Sequence, residues 1–432
     1  MTLDKIQLSN YRNFIETELE FGSKCTIFIG KNGAGKTNLL SGMKQLLSFI
    51  FTMKKDELQY EFIASSDQRV KSFSATDARF GETTAGWDYI YPVSIKGTAT
   101  SAAGVLSWEF LKENESGGLK DTLYREANAS FWNYYINNMS ELPLLAYFSY
   151  SYPHVKTKIG DKIQDKLNSG FPLPANTAYY KWDEDKDCLK IWEQYFIMQY
   201  KNWKFENGRG DENYINYITQ KLIDFSKPIS NDQANQELQI ESLRVVVGGK
   251  RESLLVQFKD GRAIPFSELP QGYKRIFSMV FDLANRSYLL LKHCNPTGIV
   301  IIDEIELHLH PSLAQEILPR LTQTFDKMQF IVSTHSPLVI TNCKQDDANR
   351  IYKLYRDGKE YEKIMVDNLY GVDYNSGLKH TMDTPPRNTE LENLLEAYAY
   401  WNTLENKLMS DRIKNQIKIL VGEDSSIYQS LN

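Results

Sequence analysis

Short unbroken apolar runs alternate along this chain with stretches whose apolar residues recur every three or four positions. Runs at 25–29, 142–150, 298–302 and 329–333 have the length and composition of strands buried on both faces. Residues 37–51 place Leu39, Leu40, Met43, Leu46 and Leu47 at helical spacing. Residues 188–205, 214–225, 271–291 and 311–325 also predict helices. Strands alternating with helices in this way predict an α/β fold, a sheet covered by helices.

Before the first run, residues 3–21 predict a strand, a turn at Asn10-Tyr11-Arg12-Asn13, and a second strand. Residues 89–95 and 104–110 predict further strands, and 237–247 with 254–258 a returning pair. From 153 to 236 lysines and aromatics dominate, which predicts a helical insertion. After 385 a stripe of Leu391, Leu395, Tyr398, Trp401, Leu404 and Leu408 predicts a helix packed on its own domain. The expected parts are 1–152 and 237–375 as two halves of one head, 153–236 as the insertion, and 376–432 as a helical tail.

Composition changes this picture little and mainly excludes. The 432 residues are 42% hydrophobic and 24% charged, ordinary for a globular chain. No apolar run approaches the roughly 20 residues that span a bilayer. Cys25, Cys188, Cys294 and Cys343 are scattered without a CxxC pair, which predicts free thiols in a reducing cytoplasm. A formal net charge of −5 gives no global attraction to nucleic acid. Local basic positions are Lys156, Lys158, Lys162 and Lys166, interleaved with Asp161 and Asp165. A second group is Lys201, Lys204 and Arg209 beside Tyr200 and Trp203.

The chemistry is concentrated in four short motifs. Gly30-Lys31-Asn32-Gly33-Ala34-Gly35-Lys36-Thr37 matches G-x-x-x-x-G-K-[ST] at every fixed position, after a strand and before a helix. Its glycines let backbone amides wrap a phosphate, and the helix N-terminus favours the anion. Lys36 would reach the β- and γ-phosphates of ATP and Thr37 would hold Mg²⁺. The strand 298–302 ends in Asp303, suited to Mg²⁺, and Glu304, placed to polarise an attacking water. Ser333-Thr334-His335 closes the next strand, where the histidine can meet a γ-phosphate and Glu304. Leu269-Pro270-Gln271-Gly272 leads into the long helix predicted over 271–291. His308 and His310 lack a carboxylate or cysteine set that would complete a metal site, and are expected in an interface loop.

These motifs resemble those of ABC-type ATPases of the SMC, RecF and OLD-like group. The stretch 303–311 is similar to that group's DE-x-E-x-HLHP run, and Asn10-Tyr11-Arg12-Asn13-Phe14 to its NFRNF element. Tyr370-Gly371-Val372-Asp373, the strand end at 147–152 and the tail resemble the PtuA-type ATPase subunits of Septu and retron-linked anti-phage systems. The resemblance implies a P-loop head that binds ATP through residues 30–37, Asn38 and Arg12. Thr37 and Asp303 would hold the metal, and Glu304 and His335 would act in catalysis. Leu269, Gln271, Gly272 and Lys274 would face the partner subunit's nucleotide. It implies a head-to-tail homodimer or higher oligomer, an HNH nuclease partner, and DNA or RNA as a plausible ligand.

Departures from the family pattern add expectations. The signature loop is usually Leu-Ser-x-Gly, and Pro270 stands at the serine, so hydrolysis is expected to be slow or the site to sense ATP. Gly272 still offers an amide, and Lys274 or Arg275 a positive charge. Gly272→Asp is expected to block closure and leave the monomer folded. Ile419-Leu420-Val421-Gly422-Glu423-Asp424 is read as the end of the helical tail, with no nuclease site in this chain. The alternatives are a stand-alone RecF-like repair ATPase and a non-hydrolysing, ATP-occupied scaffold.

Overall fold

A computed structural model describes all residues except 52–69, 85, 121, 154–158, 160, 171, 184–187, 207, 230–236, 248–251, 293–294, 359, 383–386 and 432. It comprises two compact units, Met1–Tyr370 and Gly371–Asn432. Lys156, Lys158 and Cys294 lie outside the described residues.

The first unit opens with β1 (Thr2–Tyr11), β2 (Phe14–Glu20), β3 (Cys25–Ile29) and α1 (Lys36–Leu47). There follow β4 (Arg79–Thr83), β5 (Gly86–Ile90), β6 (Val93–Ser101), β7 (Gly104–Lys112), α2 (Thr122–Tyr135) and β8 (Leu144–Phe148). The helices α3 (Asp161–Asn168), α4 (Cys188–Phe205) and α5 (Glu212–Ser226) precede β9 (Ile240–Val246), β10 (Ser253–Phe258) and β11 (Ala263–Pro265). Then come α6 (Gln271–Leu291), β12 (Gly298–Ile302), α7 (Pro311–Thr324), β13 (Met328–Thr334), α8 (Pro337–Thr341), β14 (Asn349–Asp357) and β15 (Glu360–Met365).

The central sheet has the order β15-β14-β3-β13-β12-β8. Its last five strands are parallel and only β15 is antiparallel. β3, β8, β12 and β13 are buried at every residue, which is why their sequences read as unbroken apolar runs. A second, antiparallel sheet runs β2-β1-β6-β7. The Gln329 amide joins the two sheets by accepting from the Leu3 N–H at 2.8 Å and donating to the Leu3 carbonyl at 2.9 Å. α1 packs on the second sheet, with Leu39, Leu40, Met43, Leu46 and Leu47 all fully buried.

The expected strand over 89–95 is interrupted by Pro92, so β5 ends at Ile90 and a new strand starts at Val93. Proline cannot donate to a ladder, and it separates the two pairings. The helix expected through Phe51 tightens into a 3₁₀ turn at Ser48–Phe51. The helix α2 and the β14–β15 hairpin had no clear periodic signal.

α6 is buried from Arg275 through Leu290. Helices from the 153–236 stretch partner two of its buried polar side chains: Trp192 Nε1 donates to Asp282 at 2.7 Å, and Tyr214 to Asn285 at 2.5 Å. Arg286 donates to the Ala178 and Tyr180 carbonyls at 2.6 and 3.1 Å. These helices therefore hold α6 in place, and α6 carries the signature loop at its N-terminus.

The second unit contains α9 (Tyr374–Met382), α10 (Thr389–Thr403), α11 (Lys407–Val421) and α12 (Ser426–Gln429). Leu391, Ile413 and Ile417 form its core, with Leu395, Tyr398 and Trp401 packed on it. The expected stripe does not continue through Leu404 and Leu408, which are exposed. Glu405 takes a positive φ of 54° and Asn406 caps a new helix.

Candidate functional site

Parallel pairing places the C-terminal ends of β3, β13 and β12 side by side. In an α/β sheet that edge gathers the loops able to bind a ligand. The loop after β3 turns through Gly30, Gly33 and Gly35 at φ of 157°, 80° and 92°. Gly33 and Gly35 occupy the left-handed region that a side chain disfavours. A Cβ on Gly35 would also stand 2.4 Å from Asn13 Nδ2. Lys36 folds back under the loop and donates to the Gly30 and Lys31 carbonyls at 2.7 and 3.2 Å. Burial pushes its ammonium down to about 8, against the upward pull of Asp303, Glu304 and Glu306.

Thr37 is exposed and donates to Asp303 Oδ2 at 2.9 Å. Ser333 Oγ donates to the other Asp303 oxygen and accepts from the Glu304 N–H at 2.8 Å. One hydroxyl thus orients both acids at the end of β12. Glu304 has a φ of 51°, rare for a side-chain residue, and its carbonyl accepts from Arg275 at 3.1 Å. His335 Nε2 lies 3.8 Å from Glu304 Oε1. Burial first, and the Lys36 charge second, lower the imidazole pKa, which favours its neutral form.

Arg12 also has a positive φ, 51°. It donates to Asn38 Oδ1 at 3.0 Å and pairs with Asp77 at 2.9 Å. Asn38 in turn donates to Asn13 at 2.7 Å, so the first turn of the chain is tied to the first turn of α1. Asp77 gave no signal in the sequence.

The signature segment opens α6, with Pro270 at its cap. Gln271 Nε2 is 3.0 Å from His308 Nε2, and Lys274 donates to the Ser267 carbonyl at 2.8 Å. Leu269 is buried, so its side chain packs inward and does not reach outward to a second nucleotide. Arg275 is also buried, and cannot supply the outward charge expected of it. Its guanidinium instead donates to the carbonyls of Tyr152, Tyr150 and Ser149 and of Asp303 and Glu304. Gly272 needs a correction as well: a Cβ there would stand 2.5 Å from the His308 carbonyl oxygen. An aspartate would therefore disturb the monomer and not only an outer face. His310 caps α7, its Nδ1 2.8 Å from Ser312 Oγ.

The second basic group is partly neutralised. Lys201 pairs with Glu252 at 2.5 Å, and Lys204 stacks over the Trp203 ring at 3.6 Å. The thiols of Cys25, Cys188 and Cys343 are buried. Among the described residues no helix is long and apolar enough to cross a membrane.

Residues 1–340, carrying the phosphate loop, both acids and the closing histidine, match the AAA ATPase domain model. The chain belongs to that family. It is 25% identical over 389 residues to the Retron Vc95 probable ATPase of Vibrio cholerae serotype O1 biovar El Tor, covering 82% of this chain and 74% of that one. It is 30% identical over 165 residues to the Septu protein PtuA of Bacillus mycoides, covering 35% of this chain and 21% of that one. The SMC head domain from Thermotoga maritima aligns over 85% of this chain and all of its own, with 12% identity and a TM-score of 0.44. As a family member the chain has an α/β P-loop ATPase fold, and its relatives include a retron probable ATPase and the Septu protein PtuA.

Proposed function

We propose that this AAA-family protein binds and hydrolyses ATP as the regulatory subunit of a prokaryotic anti-phage complex. In this reading two copies close head to tail over ATP and control a separate HNH nuclease. The observation that carries the ATPase reading is the joined end of β12 and β13. Asp303 accepts from Thr37 at the end of the phosphate loop, and Glu304 stands beside His335. The defence reading is supported by the retron ATPase and Septu PtuA relatives.

The donor set suits Mg²⁺. The Thr37 hydroxyl and Asp303 Oδ2 are adjacent hard oxygens, and Ser333 already satisfies the other carboxylate oxygen. When bound, Mg²⁺ would neutralise charge on the phosphate oxygens. The loop amides and Lys36 would hold the β- and γ-phosphates. Glu304 would accept a proton from water in line with the γ-phosphate, and a neutral His335 would donate a hydrogen bond to that phosphate. The signature face of the second copy would present the N-terminal amides of α6, where the helix dipole favours an anion. Because Pro270 supplies no hydroxyl, turnover is expected to be slow. That departure favours, as a second reading, a scaffold that holds ATP without splitting it.

The deciding experiment compares wild type with Glu304→Gln for ATP turnover, for mass by light scattering with ATP, and for co-purification with an HNH subunit encoded alongside. Turnover in wild type that Glu304→Gln abolishes, with ATP-dependent doubling of mass, is expected. No turnover in wild type while ATP still orders the complex selects the scaffold. Retention of no nuclease under either condition refutes the regulatory assignment.

A further inference from the structure

Glu306 belongs neither to the acid pair nor to the closing motif, yet it joins them. Its carboxylate accepts from the Thr334 hydroxyl at 2.7 Å through Oε2 and from the His335 backbone N–H at 2.6 Å through Oε1. Its carbonyl accepts from Leu309 at 2.9 Å, which anchors the turn that follows Glu304. The Thr334 hydroxyl also accepts from the Ser336 N–H at 3.0 Å. Both carboxylate oxygens are therefore spent on the two residues that lead β13 into His335. The remaining stitches between these strand ends, from Ser333, stop at Asp303, Glu304 and Ile305. The Glu306 carboxylate thus ties the His335 backbone to the turn that carries Glu304.

We infer that Glu306 is a positioning residue for ATP hydrolysis. It sets the backbone of His335 against the β12 turn and so fixes the distance between the imidazole and Glu304. The inference rests on the roles proposed above for Glu304 and His335. The chemistry explains why a carboxylate serves here. Two donors, one O–H and one N–H, converge on one side chain, and a carboxylate only accepts. An alanine leaves the His335 N–H without its acceptor and lets the loop drift. A glutamine can keep its oxygen on the His335 N–H and turn its NH₂ to Thr334 Oγ1, which can accept in turn. Geometry survives that change and charge does not.

The separation of charge from geometry makes the test sharp. Glu306 also lies in the field of Lys36, so any change in ATP affinity from lost charge is common to Glu306→Ala and Glu306→Gln. Steady-state ATP turnover and binding of a fluorescent ATP analogue are measured for wild type, both variants, His335→Ala and the double variant Glu306→Ala/His335→Ala. For Glu306→Ala, kcat is expected to fall on the order of ten- to a hundredfold, the scale of a misplaced catalytic group. Its affinity for the analogue should match that of Glu306→Gln, whose kcat should stay within a few-fold of wild type. Adding Glu306→Ala to His335→Ala should cost little further, because the two act on one feature. The inference is overturned if Glu306→Gln loses as much kcat as Glu306→Ala, or if the two losses multiply in the double variant. Should wild type show no turnover, or Glu304→Gln keep full turnover, the ATPase reading itself fails, a result distinct from either.

Discussion

Lys36 offers a direct measurement of the phosphate loop. The buried ammonium titrates near 8 in the free protein, where a lysine in the unfolded chain titrates at 10.5. A triphosphate in the loop would surround that nitrogen with anionic oxygens and raise its pKa again. ATP already carries its full charge above pH 8, so Lys36 is the group that must take up a proton on binding in this range. The dissociation constant is then expected to rise about tenfold per pH unit above pH 8, or about thirtyfold between pH 7 and pH 9.5. A fluorescent ATP analogue titrated across that range reads the effect, and calorimetry in buffers of different ionisation enthalpy reads the proton itself. Lys36→Arg keeps its charge throughout and should show a flat profile if it still binds. The sign for stability is opposite. The folded pKa lies below the unfolded one, so the penalty for burying the charged amine is complete below pH 8. Lys36 therefore makes the free protein more stable as pH rises from about 8 to 10.5. An affinity unchanged from pH 7 to 9.5 would refute the burial of Lys36 and its contact with phosphate together.

Other consequences follow from contacts around the same edge. Lys36→Ala should leave the fold intact and abolish ATP binding; an unchanged affinity in the analogue titration would contradict the phosphate role. Gly272→Ala should destabilise the monomer by about 1–3 kcal/mol, since the His308 carbonyl facing it is backbone and cannot swing away; denaturant unfolding without nucleotide measures this. Arg275→Met should cost about 3 kcal/mol by removing the guanidinium donors to buried carbonyls such as those of Tyr152 and Asp303, at roughly 1–3 kcal/mol each. It should also loosen the Glu304 turn, so turnover should fall more than ATP affinity. Arg275→Lys, with fewer donors, should recover only part of either loss.

How far the chain could be read depended on where each signal resides. The phosphate loop is local: its glycine spacing, the strand before it and the helix after it lie within about 25 consecutive residues. The buried strands were equally legible, because a parallel strand covered on both faces must be apolar throughout. β3 and β12 end where the apolar runs end. The α10–α11 break at 404–406 was missed because the apolar spacing runs through it and only the exposure of Leu404 and Leu408 reveals the turn.

Sequence alone determined the class of ligand, through the order of motifs and the chemistry each residue type can perform. Tertiary structure decided which of those residues serve one another. Strand order β3-β13-β12 puts Ser333 between the phosphate loop and the acid pair, and places Glu306 against His335. It also turns Arg275 inward onto five carbonyls and packs Gly272 on His308. Such pairings join positions up to 266 residues apart, as in Thr37 and Asp303. No local pattern encodes them, because they arise only when parallel pairing brings distant strand ends to one edge.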